Sequence, residues 1–153
     1  MTNIKIINFN KKVSFDYNVD HRIECGLVLK GTEVKSARLQ GASIQNASCS
    51  ISGNTIYIYN MNIPTYKKCF QENHDPLRIR SLLIHKKQTK KLIGLIHKNN
   101  WQIVPEKLYF NEKNLLKIMV VVGKHAKEVD KRQKIKERES VRELKQLKQF
   151  QNQ

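Results

Sequence analysis

The chain has 153 residues, 39% of them hydrophobic, which is enough for one packed domain with an extension and too few for two large cores. Its 29 Lys and Arg against 13 Asp and Glu leave a formal charge of +16, far beyond what solubility asks, and point to a polyanionic partner. No run reaches membrane-spanning length and no basic start precedes a long apolar segment, so a cytoplasmic protein without a membrane partner is expected.

The charge is spread along the chain. Residues 124–153 hold ten Lys and Arg against five Asp and Glu, leaving nineteen against eight in the body, so both parts should be drawn to a polyanion. Nucleic acid is favoured over a lipid surface, because the apolar residues of the last segment are too sparse for a membrane-binding helix face. Cys25, Cys49 and Cys69 are odd in number and widely spaced, which suits small buried hydrophobes in a reducing cell better than a disulfide or a metal site.

The first strand signal is the alternation Cys25, Leu27, Leu29. Residues 32–39 fit a short helix with Thr32 as N-cap and Val34 and Ala37 three apart. Ala47, Cys49 and Ile51 share one face of a strand, Ser52-Gly53-Asn54 is turn chemistry, and Ile56 to Tyr59 resumes alternation, so a hairpin is predicted. The segment Asn73 to Arg80 reads as a binding loop: Arg78 and Arg80 carry planar guanidiniums suited to phosphate oxygens and base stacking. The alternative is one arginine paired with Asp75 and the other solvated.

Residues 85–98 fit a longer helix with Leu92, Ile93 and Ile96 inward and Lys86, Lys87, Lys90 and Lys91 on the solvent face. A second hairpin is predicted from Ile103–Phe110 and Leu115–Val122 around the turn Asn111-Glu112-Lys113-Asn114, with the later strand covered on both sides. Phe15, Tyr17, Tyr57, Tyr59 and Tyr66 offer rings for stacking on unpaired bases, and equally for core packing.

Hairpins with short helices and no βαβ rhythm predict a mainly β fold, a small antiparallel barrel over residues 1–123. Residues 124–153 form a basic tail with too little apolar surface to dock firmly, expected to be disordered when free and helical against nucleic acid. Enzyme signals are weak. The five histidines lack metal-ligand spacing, nucleotide-binding and nucleophile motifs are missing, and neither catalytic residues, a metal site nor a cofactor is expected. His74-Asp75 is the one pair that invites a nuclease reading, and adjacent side chains in extended chain point apart.

Several blocks, in order, resemble the tmRNA-binding family known as small protein B, or SsrA-binding protein. They are Asn10-Lys11-Lys12, Asp16-Tyr17, Glu24-Cys25-Gly26, Gly31-Thr32-Glu33-Val34-Lys35-Ser36, Asn73-His74-Asp75-Pro76-Leu77-Arg78, Leu82-Leu83-Ile84-His85-Lys86, Leu92-Ile93-Gly94, Val104-Pro105, Leu108-Tyr109-Phe110 and Asp130-Lys131-Arg132. The resemblance spans Asn10 to about Leu144 and implies an oligonucleotide-binding (OB-like) barrel that is not an enzyme. It implies an adaptor that grips the tRNA-like domain of tmRNA and delivers it to stalled ribosomes, where the tail occupies the decoding region and mRNA channel.

By matching position, Asn10, Glu24, Leu83 and His85, with Lys11 and Lys12 nearby, are the implied tmRNA contacts. Lys131, Arg132, Lys134, Lys136 and Arg138 are the implied contacts of the tail with small-subunit ribosomal RNA. Elongation factor Tu and alanyl-tRNA synthetase are implied as partners reached through charged tmRNA. This chain departs from the family pattern at Phe15, where histidine is common, at Val129, where histidine or tyrosine is common, and at His125-Ala126 in the lead into the tail. A general single-strand binder or ribosomal protein on the same barrel is the competing reading.

Overall fold

The computed structural model describes residues 3–69 and 71–151. The alternating segments become strands and the periodic ones helices, in the order β1 (Lys5–Phe9), α1 (Lys12–Asp16), β2 (Tyr17–Leu27), α2 (Gly31–Gln40), β3 (Ser48–Ser52), β4 (Thr55–Tyr59), β5 (Arg80–Leu83), α3 (Lys86–Asn99), β6 (Gln102–Phe110), β7 (Leu116–His125) and α4 (Glu128–Gln151). The strands pair antiparallel in one sheet ordered β1-β6-β7-β2-β5-β4-β3, which curls until β3 lies against β6. The fold is mainly β, as the alternation predicts.

Both predicted hairpins form. Ser52 pairs with Thr55 across a two-residue loop, Gly53-Asn54. Phe110 pairs with Leu116 around a turn held by Asn111, whose side-chain oxygen accepts from the Lys113 and Leu115 amides at 3.0 and 2.9 Å. In β7 the residues Leu116, Ile118, Val120 and Val122 are buried in the main core with Leu108, Phe110, Ile56, Ile58, Leu82 and Cys25. The opposite face is covered only in part. Val121 is buried, Met119 and Lys117 are half-buried, and Leu115 at the turn is exposed.

Helix α3 turns Thr89, Leu92 and Ile96 inward and leaves Lys86, Lys87, Lys90 and Lys91 exposed. None of these four lysines has an ion-pair partner among the described residues. Helix α2 starts one residue before the predicted range, and its N-cap is Lys30 instead of Thr32. The reason is Glu33, whose carboxylate reaches back to the Lys30 amide at 2.8 Å and closes the first turn. The Thr32 hydroxyl is instead paired with His74 Nδ1 at 2.9 Å.

Strand β2 bulges between Val19 and His21, and Gly123 lies opposite the bulge. A Cβ on Gly123 would sit 2.2 Å from the Asn18 carbonyl oxygen and 3.2 Å from the Val19 Cα, both unyielding backbone atoms. Gly123→Ala is therefore expected to part the strands just before the tail and cost about 1–3 kcal/mol of stability. Urea denaturation measures the loss, and wild-type stability in that variant would show that the close approach relaxes freely.

Candidate nucleic-acid interface

Register across the sheet assembles a face that no single segment displays. Ile6 pairs with Tyr109, Tyr109 with Lys117, Lys117 with Gly26, and Gly26 with Leu83, which makes one row over five strands. The adjacent row is Phe9, Lys107, Met119 and Glu24. Paired residues share a face and residues two apart return to it, so both rows stand on the outside of the curled sheet. Cys25, Leu108 and Ile118 point into the core behind them.

Exposure on this face follows no folding need. Ile6 is 56% exposed, Leu83 58% and Phe9 41%, with Lys107 and Lys117 between them. Exposed apolar side chains interleaved with cations suit the faces of bases and the charges of phosphates together. Gly26 keeps the row open: a Cβ there would meet the Leu83 Cβ at 3.2 Å and the Lys117 ammonium at 3.7 Å.

Glu24 is held in place on this basic face. The Tyr109 hydroxyl donates to Glu24 Oε2, and the Lys107 ammonium lies 5.1 Å from the centroid of the same ring. Burial pushes the Tyr109 hydroxyl up from its ordinary value, and the hydrogen bond to Glu24 and its charge push it further, so Tyr109 stays a neutral donor. The second carboxylate oxygen of Glu24 has no protein donor among the described residues, and it is free to accept from the amino groups of bases.

The remaining candidates border this face. Asn10 is buried in the β1–α1 connection: its amide donates to the Glu106 carbonyl at 2.8 Å and its side-chain oxygen accepts from the Lys12 amide at 3.2 Å. It thereby fixes exposed Lys11 and Lys12 at the turn. Glu106 is the bulged residue of β6 and pairs with Arg22 at 3.1 Å, on the end of the sheet nearest Asn10. On the other side, His85 is the exposed N-cap of α3, and Thr55, Ser81, Leu83, Lys86 and Lys90 line a cleft between sheet and helix. Tyr57 pairs with Ser81 and extends the outer face onto β4.

The structure removes Arg80 from the predicted contacts and leaves Arg78 only partly available. Arg80 is 0% exposed, and its Nε donates to Glu33 Oε2 while its Nη1 and Nη2 reach the carbonyls of Met61 and Pro76 at 2.7 and 3.2 Å. Arg78 bonds the other Glu33 oxygen at 2.5 Å and the Val28 carbonyl at 3.0 Å. Neither pairs with Asp75, whose side chain accepts from the Leu77 amide at 3.0 Å. Arg80 is closed to RNA, and most of the donors of Arg78 are taken. Burial alone would raise the Glu33 carboxyl, but hydrogen bonds from Arg78, the Lys30 amide and Arg80 hold it below its ordinary value.

His74 is buried between Thr32 and the Ile63 carbonyl, to which its Nε2 donates at 2.9 Å, so it ties the loop to α2 and faces no open space. Burial pushes the Cys25 and Cys49 thiols up to about 12, with the neighbouring Glu24 charge adding to the shift at Cys25 and Cys25 adding to that at Cys49. Both thiols are inert at neutral pH. Among the described residues no three His, Cys, Asp or Glu converge on a metal site, and no helix is long and apolar enough to cross a membrane.

The tail cations are displayed by α4, none of whose residues is buried. Lys131 and Lys134 are half-buried against the barrel, whereas Arg132, Lys136 and Arg138 are exposed.

With this geometry in hand, known proteins supply the family. The family model described as SmpB protein matches residues 7–150. The chain belongs to the SmpB family. SsrA-binding proteins of Thermosipho africanus and Rickettsia bellii are 42% and 41% identical to it, covering 92% and 94% of this chain and 95% of each relative. That of Bacillus pumilus is 37% identical over 92% of this chain and 89% of its own. A solved structure of tmRNA-SmpB at the center of the bacterial ribosome superimposes with TM-score 0.63 and 29% identity, covering 86% of this chain and 94% of that one. In this SmpB-family chain, Lys107 and Lys117, with buried Tyr109 and Gly26 beneath them, belong to the candidate face and were not singled out by sequence reasoning. Their signal was the position of Lys117 on the face of β7 opposite Ile118 and Val120.

Proposed function

We propose that this chain is an RNA-binding adaptor, not an enzyme, acting in the cytoplasm. Its barrel, residues 1–123, binds the tRNA-like domain of tmRNA and brings it to stalled ribosomes for trans-translation. The tail, residues 124–153, enters the decoding region and mRNA channel. Lys131, Arg132, Lys134, Lys136 and Arg138 meet small-subunit ribosomal RNA there. Elongation factor Tu and alanyl-tRNA synthetase are reached through the charged tmRNA.

The observation that carries this reading is the outer face of the sheet, where Glu24 is oriented by Tyr109 beside exposed Leu83 and the Lys107 and Lys117 ammoniums. Its mechanism is electrostatic docking with shape readout, since paired RNA offers side chains little sequence information. Beyond Arg138, α4 has no tertiary hydrogen bond or ion pair among the described residues. A helix without packing is marginal in water, so this distal part gains lasting order only on ribosomal RNA.

Titration of tmRNA at fixed salt tests the assignment. Glu24→Ala, alone and with Asn10→Ala, is expected to weaken binding by about tenfold or more, whereas Lys148→Ala in the tail changes it less than about twofold. Equal losses in all three variants, or an unstructured oligonucleotide competing as well as the tRNA-like RNA, would favour a general single-strand binder.

A further inference from the structure

Lys134, assigned above to ribosomal RNA, has a different set of partners in the chain by itself. Its ammonium donates to the main-chain carbonyls of Ser14, Phe15 and Tyr17 at 3.1, 3.4 and 3.0 Å. Those carbonyls lie at the carboxyl end of α1, where a helix leaves acceptors without intrahelical donors. Helix α1 has no basic residue in its own last turn. An ammonium has three protons, and here it has three acceptors.

Neighbouring contacts repeat at helical spacing. The Asn18 amide nitrogen donates to Asp130 Oδ2 at 3.2 Å, and the Lys131 ammonium lies 3.8 Å from Asp16 Oδ1. The Arg138 guanidinium lies 5.7 Å from the Phe15 ring centroid and donates to the Ser14 hydroxyl at 3.4 Å. Residues 130, 131, 134 and 138 fall on one face of α4, and all of them meet the segment Ser14 to Asn18. The root is held as well, by the Ala126 amide on the Asp16 carbonyl at 2.7 Å and by Tyr17 packed edge-on against His125.

We infer that Lys134 is a positioning residue, the centre of a latch that seats the first turns of α4 on the carboxyl end of α1. The latch sets the direction in which the tail leaves the barrel. It also withholds Lys131, Lys134 and Arg138, because these side chains serve α1 or a phosphate but not both. The neutral carbonyls that hold Lys134 bind an ammonium more weakly than a phosphate does, so a concentrated polyanion releases the latch and the cations stay seated until then. Phe15 supplies a neutral ring for Arg138, where a protonated histidine would repel it.

Only the release step rests on the ribosomal reading, and the latch itself is read in the free chain. Hydrogen exchange of the full-length protein without RNA is expected to be about tenfold slower at Lys131–Arg138 than at Leu144–Gln149. Lys134→Ala is expected to abolish that contrast, although alanine is the better helix former and would slow exchange in a tail that was merely helical. In the same variant tmRNA affinity stays unchanged. Fast exchange at Lys131–Arg138 in the wild-type chain, or an undiminished contrast in Lys134→Ala, overturns the latch and leaves the tmRNA reading standing. A tenfold loss of tmRNA affinity in Lys134→Ala would place Lys134 on tmRNA and overturn its release to ribosomal RNA, while the exchange contrast decides the latch itself.

Discussion

Glu33→Ala is expected to cost about 3–5 kcal/mol, the usual consequence of removing one partner from a buried ion pair. Glu33 and Arg80 are both 0% exposed, so the variant leaves a guanidinium in the interior with only the Met61 and Pro76 carbonyls for company. It also strips Arg78 of its carboxylate and opens the first turn of α2 at Lys30. Urea denaturation measures the loss, and a change below about 1 kcal/mol would mean that water reaches Arg80.

The acid response follows from the same carboxylate. Its folded pKa lies below the unfolded value, so its contribution is full above about pH 4.3 and is lost as pH falls through the depressed folded value. The wild-type chain should lose more stability than Glu33→Ala between neutral pH and strongly acidic solution. The gap between the two should close at the acid end.

Deletion of residues 130–153 is expected to separate the two activities. Affinity for tmRNA should stay within about threefold, and the slope of log K against log salt should not change if the tail neutralises no phosphates of that RNA. Peptide tagging on stalled ribosomes should disappear. The truncation removes Lys131, Arg132, Lys134, Lys136 and Arg138 while the Glu24 face and the α3 lysines remain. A large fall in tmRNA affinity, or tagging that persists, would mean that barrel and tail do not divide the work as proposed.

The parts of the fold that were legible in sequence are those whose burial repeats with a clean period. The β6–β7 and β3–β4 hairpins and α3 announce themselves because one face of each is apolar. Helix α1 was not visible: it has five residues with Val13 alone buried. Strand β1 and the first half of β2 were missed for a related reason. Tyr17 to Arg22 is almost wholly polar, and it is a strand because β7 pairs with it, not because of its own pattern.

The site was less legible than the fold. Glu24, Leu83 and His85 came from family resemblance, and their surroundings depend on pairings across five strands whose register is shifted by bulges at Glu106 and near Asp20. Arg80 was misjudged, and the engagement of Arg78 went unseen, because the residue that neutralises both, Glu33, lies 45 and 47 positions earlier in the chain. A sequence shows cations beside an apolar run, and only the folded chain shows what closes on them.

The two borders of the sheet, β1 and β3, are five residues long. Strand β3 presents Ser48, Ser50 and Ser52 outward and lies close to β6, while β1 is broken by a bulge after Ile6. Short, irregular or covered margins give another molecule little template for pairing, so they guard a protein with greasy side chains on its exterior against clumping with its own copies.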